Sequence, residues 1–207
     1  MSQIALPLAW PADPQADEFV IGTSNADAAR SLERWGSWPV MAAVLTGPRK
    51  SGRSLLARVF AAKSGGQIID DAERAAETEV FHAWNTAQAE RRPLLIVADA
   101  PPPEWRIALP DLRSRLAATP VLRIGEPDDA LMTALLERDF LRRGLDARTD
   151  LIAWLVSRLD RSHIALVRAV DALDQEVLET RKRLSIPLAR TTLELAGLLH
   201  RRDEEAA

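Results

Sequence analysis

The chain contains no cysteine. That excludes a disulfide framework and any thiolate metal site, and it fits a reducing compartment. Its three histidines, His82, His163 and His200, are scattered without ligand spacing, so no histidine metal site is expected. No apolar run approaches the roughly 18 residues of a membrane span, and no basic amphipathic helix points to a membrane surface. Positive charge is not in excess: 27 Lys and Arg against 30 Asp and Glu leave a formal net charge of −3, with a pI near 5.7. A protein that holds nucleic acid by charge alone needs the opposite balance. The opening stretch, MSQIALPLAWPADPQADEF, has no basic n-region and carries acids. No signal peptide is therefore expected, and the expected location is the cytoplasm. No internal repeat is visible.

What is present suits one domain, or a domain with a small companion: 207 residues, 47% hydrophobic and 28% charged. Residues 1–18, rich in Pro, Ala and Asp, read as an extended mobile tail. Residues 25–35 predict a helix capped by Asn25. VMAAVLTG, residues 40–47, is a short apolar run ending in glycine, as a buried parallel strand would be. SLLARVFAAKSGG then carries Leu55, Leu56, Val59 and Phe60 at helical spacing and stops at Gly65-Gly66. QIIDD predicts a second strand, residues 72–90 a second helix, PLLIVADA at 93–100 a third strand and PVLRIGEP at 120–127 a fourth. Strands alternating with helices imply a three-layer α/β parallel sheet. After residue 126 no strand-like run occurs. Leu151, Ile152, Leu155, Val156 and Leu159 mark one helix. Ile164, Val167, Val170 and Leu173 mark another that extends toward Val177 and Leu178, and Leu193, Leu195 and Leu198 mark a last one. Trp35, Trp38, Trp84 and Trp105 read as packing residues, and the charged end at 201–205 as solvated.

The stretch GPRKSGRS, residues 47–54, nearly matches the phosphate-loop pattern G-x-x-x-x-G-K-[ST], in the strand–loop–helix context that the pattern requires. Gly47 and Gly52 let backbone N–H groups curl around phosphate, and the following helix start adds its dipole. Ser54 sits where a hydroxyl ligates Mg²⁺. Arg53 stands in the lysine position; it keeps the charge but is bulkier and planar. Nucleotide binding is expected to survive and hydrolysis to be weak. Asp70 and Asp71 follow the second strand, where an acid belongs for Mg²⁺. Asp70 would hold the metal shell, and Asp71 or Glu73 could polarise water. Asp99 lies at the tip of another strand. A cap for the next helix is the competing role for the 70–73 acids, and a plain strand-end turn the competing role for Asp99.

Together these pieces resemble the AAA+ ATPases of the replication-initiator (DnaA) clade, and within it the Hda-type regulators of bacterial replication initiation. FVIGTSN, residues 19–25, is similar to the segment that lines the adenine site there. GPRKSGRS resembles the loop of members that carry arginine in the lysine position. PPPEWRIALPDLRSRL, residues 101–116, resembles the sensor 1 tail and the box whose S-R-L presents an arginine finger. LDRSHIALVRAVDALDQEVLETRKRLSIPLARTTLEL resembles the lid. QIALPL, residues 3–8, resembles the sliding-clamp-binding peptide. In such a peptide Gln3 bonds at a pocket edge, Leu6 and Leu8 fill an apolar groove, and Pro7 limits the unbound ensemble.

The resemblance spans almost the whole chain. It implies a tail at 1–18, an AAA+ base at 19–126 and an all-α lid at 127–207. It implies ADP or ATP with Mg²⁺. Val20 and Ile21 would line the base of the nucleotide, with Gly47, Ser51, Gly52, Arg53, Ser54 and Leu55 around the phosphates. Ser54 and Asp70 would hold the metal, and Asp70, Asp71 and Asp99 would serve hydrolysis. Arg115 would be the finger that reaches a neighbour's ATP, with Arg113 as its rival and a bond to Asp111 as the structural alternative. The implied partners are the polymerase sliding clamp (its beta subunit), bound through Gln3, Leu6, Pro7 and Leu8; the initiator DnaA; and DNA reached through the clamp. A monomer and self-association through Arg115 both stay open.

Three departures stand out. Only Gly65-Gly66 separates the phosphate-loop helix from QIIDD, where the family usually has a further strand and helix, so a narrowed sheet is expected. Ile164 occupies the sensor 2 arginine position. The chain ends with the lid, so no duplex-reading domain is expected. Two rival readings remain: an autonomous ATPase that loads or remodels, and an interaction module with a vestigial loop.

Overall fold

Four apolar runs become four strands: β1 (Ala42–Thr46), β2 (Gln67–Ile69), β3 (Leu94–Val97) and β4 (Val121–Arg123). The computed structural model describes residues 19–199. The strands form one parallel sheet in the order β2-β3-β1-β4. β1 and β3 are central and buried on both faces, which is why each reads as a continuous apolar run.

Side chains alternate between the two faces. Ala43, Leu45, Leu95, Val97 and Leu122 meet Ala28 and Leu32 of α1 (Thr23–Glu33) and Leu56, Ala57 and Phe60 of α2 (Arg53–Ser64). Ala42, Val44, Leu94 and Ile96 face the other way. They meet Val80 and Ala87 of α3 (Glu77–Glu90) and Leu112 and Leu116 of α4 (Pro110–Ala117). Each fully buried Leu or Ile in these layers contributes about 1.5–3 kcal/mol. Helices on both faces make the expected three layers. Trp38 and Trp105 are buried within them, and Trp35 and Trp84 pack at their margins.

Local details differ from the expectations. α1 starts at Thr23 with Gly22 as its N-cap, and Asn25 lies in the first turn. From there the Asn25 amide accepts from the Gly22 N–H at 2.9 Å and donates to the Val20 carbonyl at 2.9 Å. It caps in reverse, as the N3 member of a capping box does. The helix expected over 72–90 is broken. Ala72–Arg74 is a single 3₁₀ turn, Ala75 and Ala76 are extended, and α3 begins at Glu77. Tertiary bonds cause the break: Glu73 accepts from the Asp99 N–H, and Glu77 accepts from the N–H groups of Ala108 and Leu109. α4 was not anticipated; its only buried residues are Leu112 and Leu116.

The chain divides into two compact units between Glu126 and Pro127. The second consists of α5 (Asp129–Arg142), α6 (Thr149–Val156), α7 (His163–Thr180) and α8 (Ile186–Leu195). α5 was not anticipated either, although Leu131, Met132, Leu136 and Phe140 give it a buried stripe. The stripe of α7 is centred on Leu166, Ala169, Val170 and Leu173, with Ile164 and Val167 half-buried. α8 stops short of Leu198. Asp128, Ser162 and Ser185 cap α5, α7 and α8 with side-chain oxygens. Arg143 ties the end of α5 to Asp171 and Asp174 of α7 at 2.5 and 3.2 Å.

Candidate functional site

The loop between β1 and α2 is shaped by contact and by handedness. A Cβ on Gly47 would stand 2.8 Å from the Ile124 carbonyl oxygen, so only glycine lets β1 end this close to the neighbouring strand. Gly52 (φ +85°) caps α2 in the left-handed region, and Lys50 (φ +67°) shares that conformation. No side chain caps α2, which leaves its first N–H groups for an anion. Ser51 is buried, and its Oγ has no hydrogen-bond partner among the described residues. A buried hydroxyl ordinarily has one. This orphaned oxygen beside open N–H groups is the feature that fits a bound phosphate. Ser54 and Leu55 lie half-buried in the first turn of α2, and Arg49 and Lys50 are exposed cations on the loop.

Arg53 is turned to the tip of β3. One guanidinium nitrogen donates to the Ala98 carbonyl, the other to Asp99 at 2.5 Å. Its side chain is only 11% exposed, against 49% for Asp99. The hydrogen bond from Arg53 is the main reason the Asp99 carboxyl titrates below its ordinary 3.8; partial burial opposes, and the charges of Arg53, Arg49 and Arg74 assist. The cation in the lysine position of the loop is thus already matched by an anion. The strand-end acids divide. Asp70 accepts from the Asp71 N–H in a local turn, and Asp71 is left-handed, exposed and 3.8 Å from Arg74. Glu73 is the acid that the fold joins to the β3 tip, through the Asp99 N–H at 2.9 Å, while its Oε2 is shielded and without a partner among the described residues. Among those residues no cluster of three or more His, Cys, Asp or Glu is gathered for a metal, and Ser54 and Asp70 share no recorded bond. Val20 and Ile21 are half-buried, and Phe19 before them stands 3.1 Å from where a Cβ on Gly52 would be. The neighbouring Ser24 Oγ, not anticipated, is shielded and unpartnered among the described residues.

Arg115 lies on α4 and is seated on α3. Its Nε–H donates to Asn85 Oδ1 at 3.0 Å, and an η nitrogen donates to the Asp111 backbone carbonyl, not to its carboxylate, at 3.1 Å. The guanidinium carbon stands 4.5 Å from the Phe81 ring centroid and 5.5 Å from that of Trp84. Arg113 is exposed, with one long bond of 3.3 Å to the Ala108 carbonyl. The Phe81–Asn85 seat was not anticipated, because its members stand about thirty positions from Arg115. The clamp-binding peptide read at Gln3, Leu6, Pro7 and Leu8 lies outside the described residues.

Comparison with known proteins places this geometry. Residues 128–193 match the family model of the Hda lid domain. An uncharacterized protein of Haemophilus influenzae is 29% identical over 120 residues, covering 58% of this chain and 52% of that protein, so the chain spans about half the length of that curated relative. Domain III of the Thermotoga maritima replication initiation protein DnaA superposes with a TM-score of 0.70 at 16% identity, over 85% of this chain and 93% of that one. DnaA bound to AMPPCP and single-stranded DNA gives 0.61 at 16% identity, over 86% and 66%. The Thermotoga maritima RuvB Holliday junction branch migration motor gives 0.59 at 14% identity, over 83% and 66%. At these identities the structural likeness speaks for the fold. Four parallel strands with a glycine loop after β1 give the chain the fold of DnaA domain III, and the helical unit that follows matches the Hda lid domain over residues 128–193.

Proposed function

We propose that the chain is a nucleotide-binding regulator that represses re-initiation of chromosome replication. The tail, through Gln3, Leu6, Pro7 and Leu8, tethers it to the DNA-loaded sliding clamp. Arg115 then completes the ATP site of DnaA, so that initiator-bound ATP is hydrolysed. The observation that carries the reading is the Hda lid match over residues 128–193 on a DnaA-like fold. The loop supports it: Ser51 and the uncapped start of α2 suit the phosphates of ADP or ATP, with Ser54 and Asp70 as the groups that would hold Mg²⁺. Arg53, engaged by Asp99, favours binding over turnover by the chain itself. When bound, the nucleotide and its metal supply charge that orders the loop. Arginine fingers contribute roughly 10³–10⁵ in rate. The chain so read works in the cytoplasm and touches DNA through its partners.

Single-turnover hydrolysis of DnaA-bound ATP, with the clamp loaded on DNA, tests this. The wild-type chain is expected to accelerate it, and Arg115→Ala and the double variant Leu6→Ala/Leu8→Ala to fail. No acceleration by the wild type would remove the regulatory reading. The same Arg53–Asp99 pair also favours a second reading, an interaction module with a vestigial loop. A thermal melt separates the two. A binding loop gains about 2.7 kcal/mol from ADP at a hundredfold excess over Kd, and a vestigial one gains nothing.

A further inference from the structure

We propose that Asn85 is the positioning residue for Arg115, and that α3 is a neutral seat which orients the guanidinium while leaving its charge available. The inference rests on the reading that Arg115 acts on a partner's nucleotide. Every recorded group that holds Arg115 is uncharged: the Asn85 amide oxygen, the Asp111 carbonyl, and the rings of Phe81 and Trp84. Arg53 and Arg143 differ. Arg53 meets Asp99, and Arg143 meets Asp171 and Asp174, so those charges are spent inside the fold. The seat is itself braced. Trp84 Nε1–H donates to Thr119 Oγ at 3.1 Å, and the Thr119 hydroxyl donates to the Arg115 carbonyl at 2.9 Å. Thr119 is buried. This loop of bonds fixes the ring and the main chain beneath one guanidinium.

Two of the bonds run to Arg115 N–H groups, and a guanidinium carries five such donors, so donors remain for a phosphoryl oxygen. A group that stabilises developing charge works best when it is aimed beforehand and not already neutralised. A carboxylate in place of Asn85 would aim the arginine equally well but cancel its field. An amide aims it and leaves the field intact.

The test uses the full chain in four forms: wild type, Asn85→Ala, Asn85→Asp and Arg115→Lys, which lacks the Nε–H. The Arg115 Nε–H resonance, assigned by its absence in Arg115→Lys, should exchange slowly with solvent in the wild type and in Asn85→Asp, and rapidly in Asn85→Ala. In single-turnover hydrolysis of the partner's bound nucleoside triphosphate, Asn85→Ala should lower the maximal rate about tenfold, the worth of one bond to a charged group. Its half-saturating concentration should not change. Asn85→Asp should also lose rate despite keeping the bond, and Asn85→Ala should add nothing on the Arg115→Lys background. If Asn85→Ala keeps the full rate while Arg115→Ala has lost it, the positioning role falls and the function stands. If Arg115→Ala keeps the full rate, the functional reading falls. If Asn85→Ala slows Arg115→Lys as much as it slows the wild type, Asn85 acts on the fold and the inference is overturned.

Discussion

Position 47 shows what a motif letter means at the scale of one residue. A Cβ there would lie 2.8 Å from the Ile124 oxygen and 2.9 Å from the Ile124 Cβ. Both belong to the neighbouring strand's exit, where the Ile124 N–H also donates to the Thr46 carbonyl at 2.8 Å. Neither can yield without moving that hydrogen bond. Gly47→Ala is therefore expected to destabilise the chain by about 2 kcal/mol, in the range of overpacked sites. The urea midpoint should fall with the slope unchanged; an unmoved midpoint would mean that the end of β4 gives way freely. Position 53 makes the complementary point. Its letter and charge are legible in the sequence. The partner is not, because Asp99 lies 46 residues away. What the sequence left as two separate suspicions, a substituted cation and a strand-tip acid, the fold joins into one ion pair.

Among the elements, α3 starts at Glu77 and not at residue 72 as expected, and the reason also sets its behaviour with pH. Residues 72–90 are rich in Ala and Glu, good helix formers, and nothing local announces a break. The strands were legible because burial on both faces forces an unbroken apolar run, and α2 because Gly52 and Gly65 bracket it. The break at Ala75 and Ala76 comes from Glu73 and Glu77 being drawn to N–H groups 26 to 32 residues away. Glu77 clasps the start of α4 with both oxygens, at 2.8 and 2.6 Å. The Ala108 N–H, then the Leu109 N–H, hold its carboxyl below the ordinary 4.5; desolvation opposes and Arg113 assists. A carboxyl with a lowered folded pKa gives stability that is complete above its unfolded pKa and is lost as pH falls through the folded value. Glu77→Gln should therefore melt lower than wild type above about pH 5, and the gap should close on acidification below the ordinary 4.5. Parallel melting curves across that range would show that the clasp does not depend on the charge.

At the scale of the whole chain, composition bounds the molecule and topology divides it. The sheet keeps four strands, with β2 and β4 at its edges, in line with the narrowing read from the short Gly65-Gly66 link. The second unit has a core of its own: thirteen buried residues, drawn from all four of its helices and from Leu159 just after α6, form one cluster separate from the two that flank the sheet. α5, α7 and α8 carry their own side-chain caps, and Arg143 adds an internal ion-pair tie. A region with an independent core and self-contained hydrogen bonding is the unit that folds alone. The fragment 127–207, expressed by itself, is expected to be helical by far-UV circular dichroism and to unfold in urea as one cooperative transition. Because so short a chain buries a modest fraction of its surface, that transition should come at low denaturant. Truncating the fully buried Phe140 to Ala, a loss of about 3–5 kcal/mol, should abolish it. If the fragment is helical but melts gradually, without a transition, the thirteen-residue core does not suffice by itself, and the division at Glu126 is one of packing and not of folding.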